Sequence, residues 1–525
     1  MSNGLAGVRV VDFGHHIAGP MAALLLADAG AEVVHIDRPR GTAAANVTDA
    51  FLHRGKRRAT LDLKSPADVD LARGLIRSAD VVIENFRPGV MDRLGLGAGP
   101  SLAANARLIY CSLPGFAADD ERANVRAWEG ILHAASAGYR PLNEHWDPSG
   151  RRYAQVDDEW APLFTPVTTA SNFGAMLGAT MVAAALIGRE RSGRGQRIEL
   201  PLVEAMIEAY STMMRNHVYD NARGAAGTML SDLSYRCADG GMIDLSPHPK
   251  FVLRLLTAAG VADEWQRLGL VDLDTGTFSL ELRERIQAEF AALIATRTAS
   301  EWDALAMVLK TPMAMVRTPA QWLASDHARE SGAVLEVDDP TFGSVVMPGP
   351  AFELGATPAP GDAPRTMAAG VHRAEPIERP LHGVRVLELT QAVAGPTAAR
   401  LLADLGADVI KVGSTTPGVT DGIVGHLHRG KRTILLDSSG PDGRCVLDRL
   451  VQRADALVTN FMPAAASKYG VDEERLASVN PQLVHCSISA YGCRGPWAER
   501  RAYENQCNAA TGMSQSYGAP FGWTL

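Results

Sequence analysis

The same six residues, LHRGKR, occur twice in this sequence, at 52–57 and at 427–432. The first occurrence supplies three cations, which are Arg54, Lys56 and Arg57. Arg38 stands shortly before them, where a strand is predicted to end. Guanidinium groups are well shaped to bind phosphate through paired hydrogen bonds. A phosphate-bearing ligand and a solvated basic loop therefore both remain open as interpretations of the cluster, although recurrence strengthens the first.

The first predicted turn, DFGHHIAGP at 12–20, offers little other chemistry. It lacks GxGxxG, so Asp37 at the end of the next strand does not complete a dinucleotide fingerprint. His15 and His16 have no acid or cysteine at the spacing of a triad or a metal site. HExxH, GxSxG and a Walker loop are absent from the sequence, and no metal site is predicted.

Composition indicates a globular protein whose partners are small molecules. Hydrophobic residues make up 46% and charged residues 21%, and the net charge of -8 argues against nucleic acid. The cysteines lie far apart without CxxC spacing, as in reduced cytoplasmic thiols. The N-terminus has no signal pattern, and the apolar run at 181–187 is too short to cross a bilayer. The sequence therefore predicts a soluble, cytoplasmic protein with no membrane partner.

A long internal repeat surrounds the two basic clusters. LAGVRVVDFGHHIAGP at 5–20 matches LHGVRVLELTQAVAGP at 381–396, and further matches follow in the same order. This pattern indicates a duplicated domain rather than a solenoid of short repeats. The last residue, Leu525, corresponds to Gly150 of the first copy, so we expect the second copy to be incomplete. A fragment of a longer chain is favoured over a truncated relic.

Each copy alternates apolar strands with amphipathic helices, which predicts a parallel sheet covered on both faces, with ligands beyond the carboxyl ends of its strands. The middle of the chain mixes short strands and helices, and ATPAPGDAPRTMAAGV is typical of a linker. The predicted domains are a large domain at 1–220 (copy one), a small α+β domain at 221–356, a linker at 357–380, and a partial large domain at 381–525 (copy two).

Several segments, taken jointly, resemble class III CoA-transferases, the family that includes formyl-CoA transferase, carnitine CoA-transferase and α-methylacyl-CoA racemase. They include AGP after the first strand, LLADAGAEVVHIDRP, LHRGKR followed by TLDLKS, VVIENFRPGVMDRLGLG, RLIYCSLPGF and RERSGRGQRIELPLVEAM. The resemblance covers one complete unit and the first part of another. It implies a Rossmann-like large domain, a small domain, and subunits that interlock as pairs. Two fused copies would then pair within one chain, or a homodimer would form.

The resemblance also implies which residues contact coenzyme A (CoA), which binds as a substrate, free or as acyl-CoA, and not as a permanent cofactor. The matching positions are His15, Ala18, Arg38, Leu61, Asn85, Phe86, Arg93 and Arg126. The arginines suit the phosphates of CoA, and Asn85 and the first-turn backbone suit its hydrogen-bonding groups. LHRGKR would belong to a loop at the same edge.

The catalytic position departs from the family. Transferases of this family attack the acyl-CoA thioester with an aspartate at the start of a long helix. Ala170 occupies that place in TTASNFG, and its neighbours Thr169 and Ser171 are not carboxylates. No catalytic residue is therefore identified in copy one, although Glu129 matches an acid with a supporting role. In tandem fusions of this family, including the dimethylsulfoniopropionate CoA-transferase/lyase type, one half carries the active aspartate.

Three functions follow from this sequence. The leading one is a CoA-transferase that moves CoA from an acyl-CoA to a carboxylic acid, with the active aspartate in the missing part of copy two. The second is an inactive protein that only binds CoA or acyl-CoA. The third is racemase or lyase chemistry with His15 or His16 as the base. The acyl group and the acceptor acid cannot be identified from the sequence.

Overall fold

The computed structural model describes residues 4–39, 46–136, 167–211, 233–246, 249–270, 280–355, 379–415 and 425–518. These residues form four sheets with flanking helices. The predicted linker at 357–380 lies almost wholly outside the described residues, and the predicted domain boundaries stay predictions.

Copy one contains a six-stranded parallel sheet in the order β3-β2-β1-β4-β5-β6. Its strands are β1 (Arg9–Asp12), β2 (Glu32–Asp37), β3 (Arg57–Thr60), β4 (Val81–Glu84), β5 (Ile109–Ser112) and β6 (Gln196–Glu199). Neighbouring residues of β1 and β4 pack into separate cores, with Val10 and Ile83 in one and Val11 and Val82 in the other. The sheet is therefore covered on both faces, which confirms the predicted α/β fold.

The helices of copy one are α1 (Ala18–Asp28), α2 (Val47–His53), α3 (Pro66–Ser78), α4 (Val90–Arg93), α5 (Ala98–Ala104), α6 (Glu129–Ala135), α7 (Thr169–Ser192) and α8 (Leu202–Ala209). Helix α7 ends at Gly193, whose φ of 71° is in the left-handed region that glycine adopts without strain.

Helix α7 corrects the expectation about the apolar run at 181–187. The run is part of a helix of 24 residues, which by length and composition alone could cross a membrane. However, 56% of its most apolar window is buried inside the protein. Its residue Ala175 belongs to the same core as Ala22 of α1 and Ala205 of α8. Burial against other helices is typical of the core helix of a globular domain.

Copy two repeats this arrangement without the sixth strand, in the order β14-β13-β12-β15-β16. Its elements are β12 (Arg385–Leu389), α15 (Ala394–Asp404), β13 (Asp408–Gly413), a 3-10 turn (Gly425–His428), β14 (Arg432–Leu435), α16 (Pro441–Arg453), β15 (Ala456–Thr459), α17 (Pro463–Tyr469), α18 (Glu473–Val479), β16 (Val484–Ser487), α19 (Glu504–Ala510) and α20 (Met513–Gly518). Strand β5 is buried along its length by β6 and α7, whereas β16 is largely exposed.

The small domain has a three-stranded antiparallel sheet and a separate hairpin. Its elements are β7 (Leu233–Arg236), β8 (Met242–Leu245), α9 (Pro249–Ala259), α10 (Ala262–Arg267), α11 (Leu280–Ile294), α12 (Ala299–Leu309), β9 (Met313–Met315), α13 (Pro319–Leu323), α14 (Asp326–Glu330), β10 (Val334–Asp339) and β11 (Gly343–Pro348). The predicted mixture of strands and helices is confirmed here.

The small domain contacts copy two through a buried charged network. Asp303 on α12 accepts hydrogen bonds from Arg317, at 2.6 Å, and from Arg500, which immediately precedes the α19 region. Gln506 on α19 donates to Asp244 on β8 at 2.5 Å. Both arginines also lie against the ring of Trp497, at 4.7 Å. Copy two and the small domain therefore share a desolvated interface within one chain.

One strand, β6, was not predicted from the sequence. The composition of IELPLVEAMIEAYSTMMRNHV at 198–218 favours a helix, but Gln196–Glu199 forms β6 and the helix begins at Leu202. Pro201 separates the two because it lacks an amide hydrogen and restricts the residue before it. Strand β6 pairs in parallel with β5, and its position at the edge of the sheet explains its partial exposure.

Candidate functional site

The turn between β1 and α1, residues 13–17, forms the centre of the candidate site, and we call it the first turn. Asn85, which follows β4, binds this turn at two points. Its Oδ1 accepts from the backbone amide of His15 at 2.8 Å, and its Nδ2 donates to the His15 carbonyl at 2.8 Å. The carboxyl ends of β1 and β4 are thereby joined, as expected for a ligand site in a parallel sheet.

His15 and Arg38 are close enough to interact electrostatically. Burial, together with the nearby Arg38 guanidinium, lowers the pKa of His15 to about 4. The His15 imidazole is therefore neutral near pH 7 and a weak base. Arg38 itself is exposed, just after β2, so its guanidinium can reach a ligand above the first turn.

Apolar residues form the floor beneath the first turn. The ring of Phe86 contacts that of His15 edge-on, with centroids 5.0 Å apart. Leu61 is buried in the core against which Phe86 packs, and Ala18 is buried at the start of α1. Glu84 lies at the end of β4 and accepts from the Phe86 amide at 2.8 Å. Burial raises the pKa of Glu84 to about 7.

Arg93 and Arg126 are exposed but less closely connected to the first turn. Among the described residues, no hydrogen bond, ion pair or ring contact joins either of them to His15. Arg126 stands near Trp128, which is 64% exposed and whose ring lies 6.1 Å from that of His16. Their role in binding CoA stays a prediction.

Lys56, the lysine of LHRGKR, lies beneath the first turn and not at its surface. Its side chain and that of Asp12 are fully buried. Lys56 Nζ donates to Asp12 Oδ2 at 3.0 Å and to the carbonyl of Pro20 at 2.7 Å. Although burial opposes it, the charge of Lys56 and the hydrogen bond with His35 lower the pKa of Asp12 to about 2. The interpretation of Lys56 as a phosphate ligand is therefore wrong.

The two arginines of the cluster also have partners within the protein. Arg54 donates to Asp28 at 2.5 Å and to the carbonyl of Pro348 at 2.7 Å, which joins copy one to the β10–β11 hairpin. Arg57 donates to Glu32 at 3.0 Å, and both side chains are exposed. The repeated cluster thus holds neighbouring elements together.

Glu129, the first residue of α6, binds the start of α7. Its Oε1 accepts from the Ala170 amide at 2.6 Å. Its Oε2 accepts from the amide of Ser171 at 3.3 Å and from the Ser171 hydroxyl at 2.8 Å. A carboxylate here neutralises the unpaired amides and the positive end of the helix. Glu129 therefore places a carboxylate beside the buried methyl group of Ala170.

Copy two reproduces the support of the first turn. Asn460 binds Gln391 as Asn85 binds His15, through the amide at 3.0 Å and the carbonyl at 2.7 Å. Lys431 Nζ donates to Glu388 at 2.6 Å and to the Pro396 carbonyl at 2.8 Å. Ser414 replaces Arg38 in the matching sequence, and Lys468 replaces Arg93.

Sequence reasoning missed the roles of Asp12 and Lys56. The signal was available, because a carboxylate on the first strand recurs as Glu388 and the lysine recurs as Lys431. It also missed that Glu129 caps α7, since 41 residues separate Glu129 from Ala170. The described residues contain no group of three or more His, Cys, Asp or Glu side chains that could hold a metal.

Comparison with known proteins gives consistent matches across the chain. The family model for CoA-transferase family III matches residues 5–368 and 381–522. The chain is 30% identical to the CoA-transferase/lyase DddD of Marinomonas sp., over 98% of this chain and 69% of that protein. It is 28% identical to the probable CoA-transferase Rv1866 of Mycobacterium tuberculosis, over 94% of this chain and 66% of that protein. The crystal structure of Rv3272 from M. tuberculosis has a TM-score of 0.56 at 25% identity and covers 67% of this chain and 93% of its own.

Proposed function

The chain belongs to CoA-transferase family III, and we propose that it binds acyl-CoA at the first turn of copy one, in a protein that moves CoA to a carboxylic acid. In this proposal copy one has no nucleophile, because Ala170 stands at the aspartate position. The aspartate belongs to a copy-two counterpart of α7 that lies outside these 525 residues. A cytoplasmic location is part of the same prediction.

The proposal rests on the side chains that meet at the first turn. His15, Asn85 and Phe86 are in mutual contact, and the charge of Arg38 acts on His15. The exposed guanidinium of Arg38 suits a phosphate of CoA. The chemistry of the family then indicates a thioester as the reacting group.

The contacts between copy two and the small domain support pairing of the two copies within one chain. Arg501 is the copy-two counterpart of Arg126, and its guanidinium lies 5.5 Å from the ring centroid of Phe251 on α9. The small domain therefore lies beside the segment of copy two that corresponds to the predicted CoA contact. We propose that this domain contributes to the acyl pocket of copy two.

One observation favours a second candidate function, in which copy one only binds CoA. Both carboxylate oxygens of Glu129 are engaged by the start of α7, and Ala170 offers no carboxylate. A carboxylate with three hydrogen bonds is a poor nucleophile, since its charge is already stabilised. Low basicity of His15 likewise disfavours a racemase or lyase in which this residue is the base.

Trapping of a covalent adduct separates these candidates. The 525-residue protein and a version extended to the full reading frame are each incubated with acyl-CoA that is radiolabelled in its CoA part, and hydroxylamine is added to cleave the enzyme–CoA thioester that forms when CoA displaces the acyl group from the aspartyl anhydride. We expect CoA binding by calorimetry for both proteins, but a hydroxylamine-sensitive adduct only for the longer one. Binding without any adduct in either protein would establish the binding-only function. Absence of CoA binding in both would end the proposal.

A further inference from the structure

A buried lysine, a carboxylate and a proline carbonyl occur in the same arrangement beneath the first turn of both copies. Lys56 bridges Asp12 and the Pro20 carbonyl, and Lys431 bridges Glu388 and the Pro396 carbonyl. The acids differ in length, yet both lysines are fully buried and keep both contacts. We call each arrangement a lysine strut.

The strut binds both ends of the turn. In copy one, Asp12 Oδ1 accepts from the Gly14 amide at 2.8 Å, so the acid holds the start of the turn. Lys56 holds its end through Pro20, in the first turn of α1. In copy two, Glu388 accepts instead from the hydroxyl of Thr390, the counterpart of Gly14, at 2.7 Å. In each copy the acid therefore binds the residue two positions after it, through a backbone amide in copy one and through a side-chain hydroxyl in copy two.

The turn between these anchor points is strained. His16 has a φ of 61°, and its counterpart Ala392 has a φ of 59°. Residues with a side chain rarely adopt this left-handed conformation, and it persists only where surrounding contacts enforce it. The strut supplies those contacts together with the paired hydrogen bonds of Asn85 in copy one and Asn460 in copy two, which we call the asparagine clip.

We propose that Lys56 is a positioning residue for CoA: it helps to hold the first turn, whose Gly14 and His15 amides are bonded to Asp12 and Asn85, in the strained conformation that the ligand meets. This inference rests on the proposed binding of CoA at that turn. Lys56 does not touch the ligand, because it is fully buried and both its contacts are within the protein. The recurrence of LHRGKR then reflects the need of each turn for its own strut.

A neutral double variant separates positioning from stability. Lys56→Met alone leaves the Asp12 carboxylate buried without its cation, which destabilises the fold. Lys56→Met with Asp12→Asn removes both charges, and asparagine can still accept from the Gly14 amide. We expect the double variant to regain most of the thermal stability lost by the single variant, yet to bind CoA about tenfold more weakly than wild type.

Hydrogen exchange gives a local readout at residues 13–17. CoA should protect these amides in the wild type, and the protection should be lost in the double variant. The control is Lys431→Met in copy two, where Glu388 keeps Lys411 as its cation at 2.9 Å, and this variant should leave the protection at 13–17 in place. Recovery of both stability and affinity in the Lys56 double variant would show a merely structural role and overturn the inference. Absence of CoA binding in the wild type would instead overturn the proposed function.

Discussion

Copy one and copy two share the support of the first turn but differ in the residues that face a ligand. The strut, the asparagine clip and the left-handed residue occur in both. The exposed Arg38 of copy one is replaced by Ser414, and His15 is replaced by Gln391. If the first turn binds CoA as proposed, we expect the two copies to contact different groups of the ligand.

The copies also differ in what covers them. Arg500 anchors copy two to the small domain through Asp303, whereas its counterpart in copy one, Val125, is 39% exposed. The small domain is therefore attached asymmetrically. Copy two shares a buried network with it, and copy one meets it through contacts such as that of Arg54 with Pro348.

The largest effect on this asymmetry is expected from Asp303→Ala. This change leaves the guanidinium groups of Arg317 and Arg500 buried without their carboxylate. Removal of one partner from a buried ionic network destabilises a protein by about 3–5 kcal/mol. Urea unfolding should show this loss, with early exposure of Trp497 detected by fluorescence.

The matched control is Val125→Ala at the position in copy one that corresponds to Arg500. Because Val125 is partly exposed, we expect a change within about 0.5 kcal/mol. Similar small effects for both variants would show that the Asp303 network does not hold copy two to the small domain.

Glu84→Gln should remove a pH dependence that is specific to copy one. Burial raises the pKa of Glu84 from 4.5 to about 7. The carboxyl group therefore contributes fully to stability below pH 4.5, and this contribution is lost as the pH rises to about 7. The loss is of the order of 3 kcal/mol, from about 1.4 kcal/mol for each pKa unit. Copy two has Thr459 at this position.

Unfolding free energies measured between pH 4 and pH 8 (about the range of the shift) test this expectation. The unfolding free energy of wild type relative to that of Glu84→Gln should fall as the pH rises, because only wild type carries this carboxyl group. Glu32→Gln is the control, because that carboxylate is exposed on the same sheet. An unchanged slope in Glu84→Gln would contradict a raised pKa.

Arg38→Ser gives copy one the residue that copy two has at the matching position, Ser414. A charge-assisted hydrogen bond contributes about 1.5–3 kcal/mol, so CoA affinity should fall about tenfold or more. The loss should be smaller at high salt, since ions screen the exposed guanidinium. Isothermal calorimetry at two salt concentrations measures both effects, and the reciprocal variant, Ser414→Arg, shows whether copy two gains affinity. Unchanged affinity in Arg38→Ser would remove Arg38 from the site.

Much of the fold could be predicted because local patterns and core packing agree. The buried residues of β1, β4 and β5 appear in the sequence as continuous apolar runs, and Gly30 marks the end of α1. Strand β6 was missed because its sequence, QRIE, alternates little and lies next to a helix. Its assignment depends on pairing with β5, which is a long-range contact.

The candidate site could be predicted only where its residues belong to a recognisable motif. Asn85 and Phe86 were assigned from a motif, and both contact His15, but their binding of CoA stays a prediction. The burial of Lys56 was missed because a lysine in a basic cluster is usually exposed, although its recurrence as Lys431 offered a signal. Only the fold brings Asp12 within hydrogen-bonding distance of it.

The smallest effect is expected from Arg57→Ala, in the same cluster as Lys56. Arg57 is 74% exposed at its side chain and paired with Glu32, and Arg432 of copy two is paired with Asp408 in the same way. Exposed pairs contribute about 0.2–1 kcal/mol, so stability should change little. CoA affinity should not change, because Arg57 points away from the buried strut toward solvent and has its own carboxylate. A tenfold loss of affinity in calorimetry (about 1.4 kcal/mol) would place the exposed arginine at the ligand, and the basic cluster would then serve phosphate binding as well as the fold.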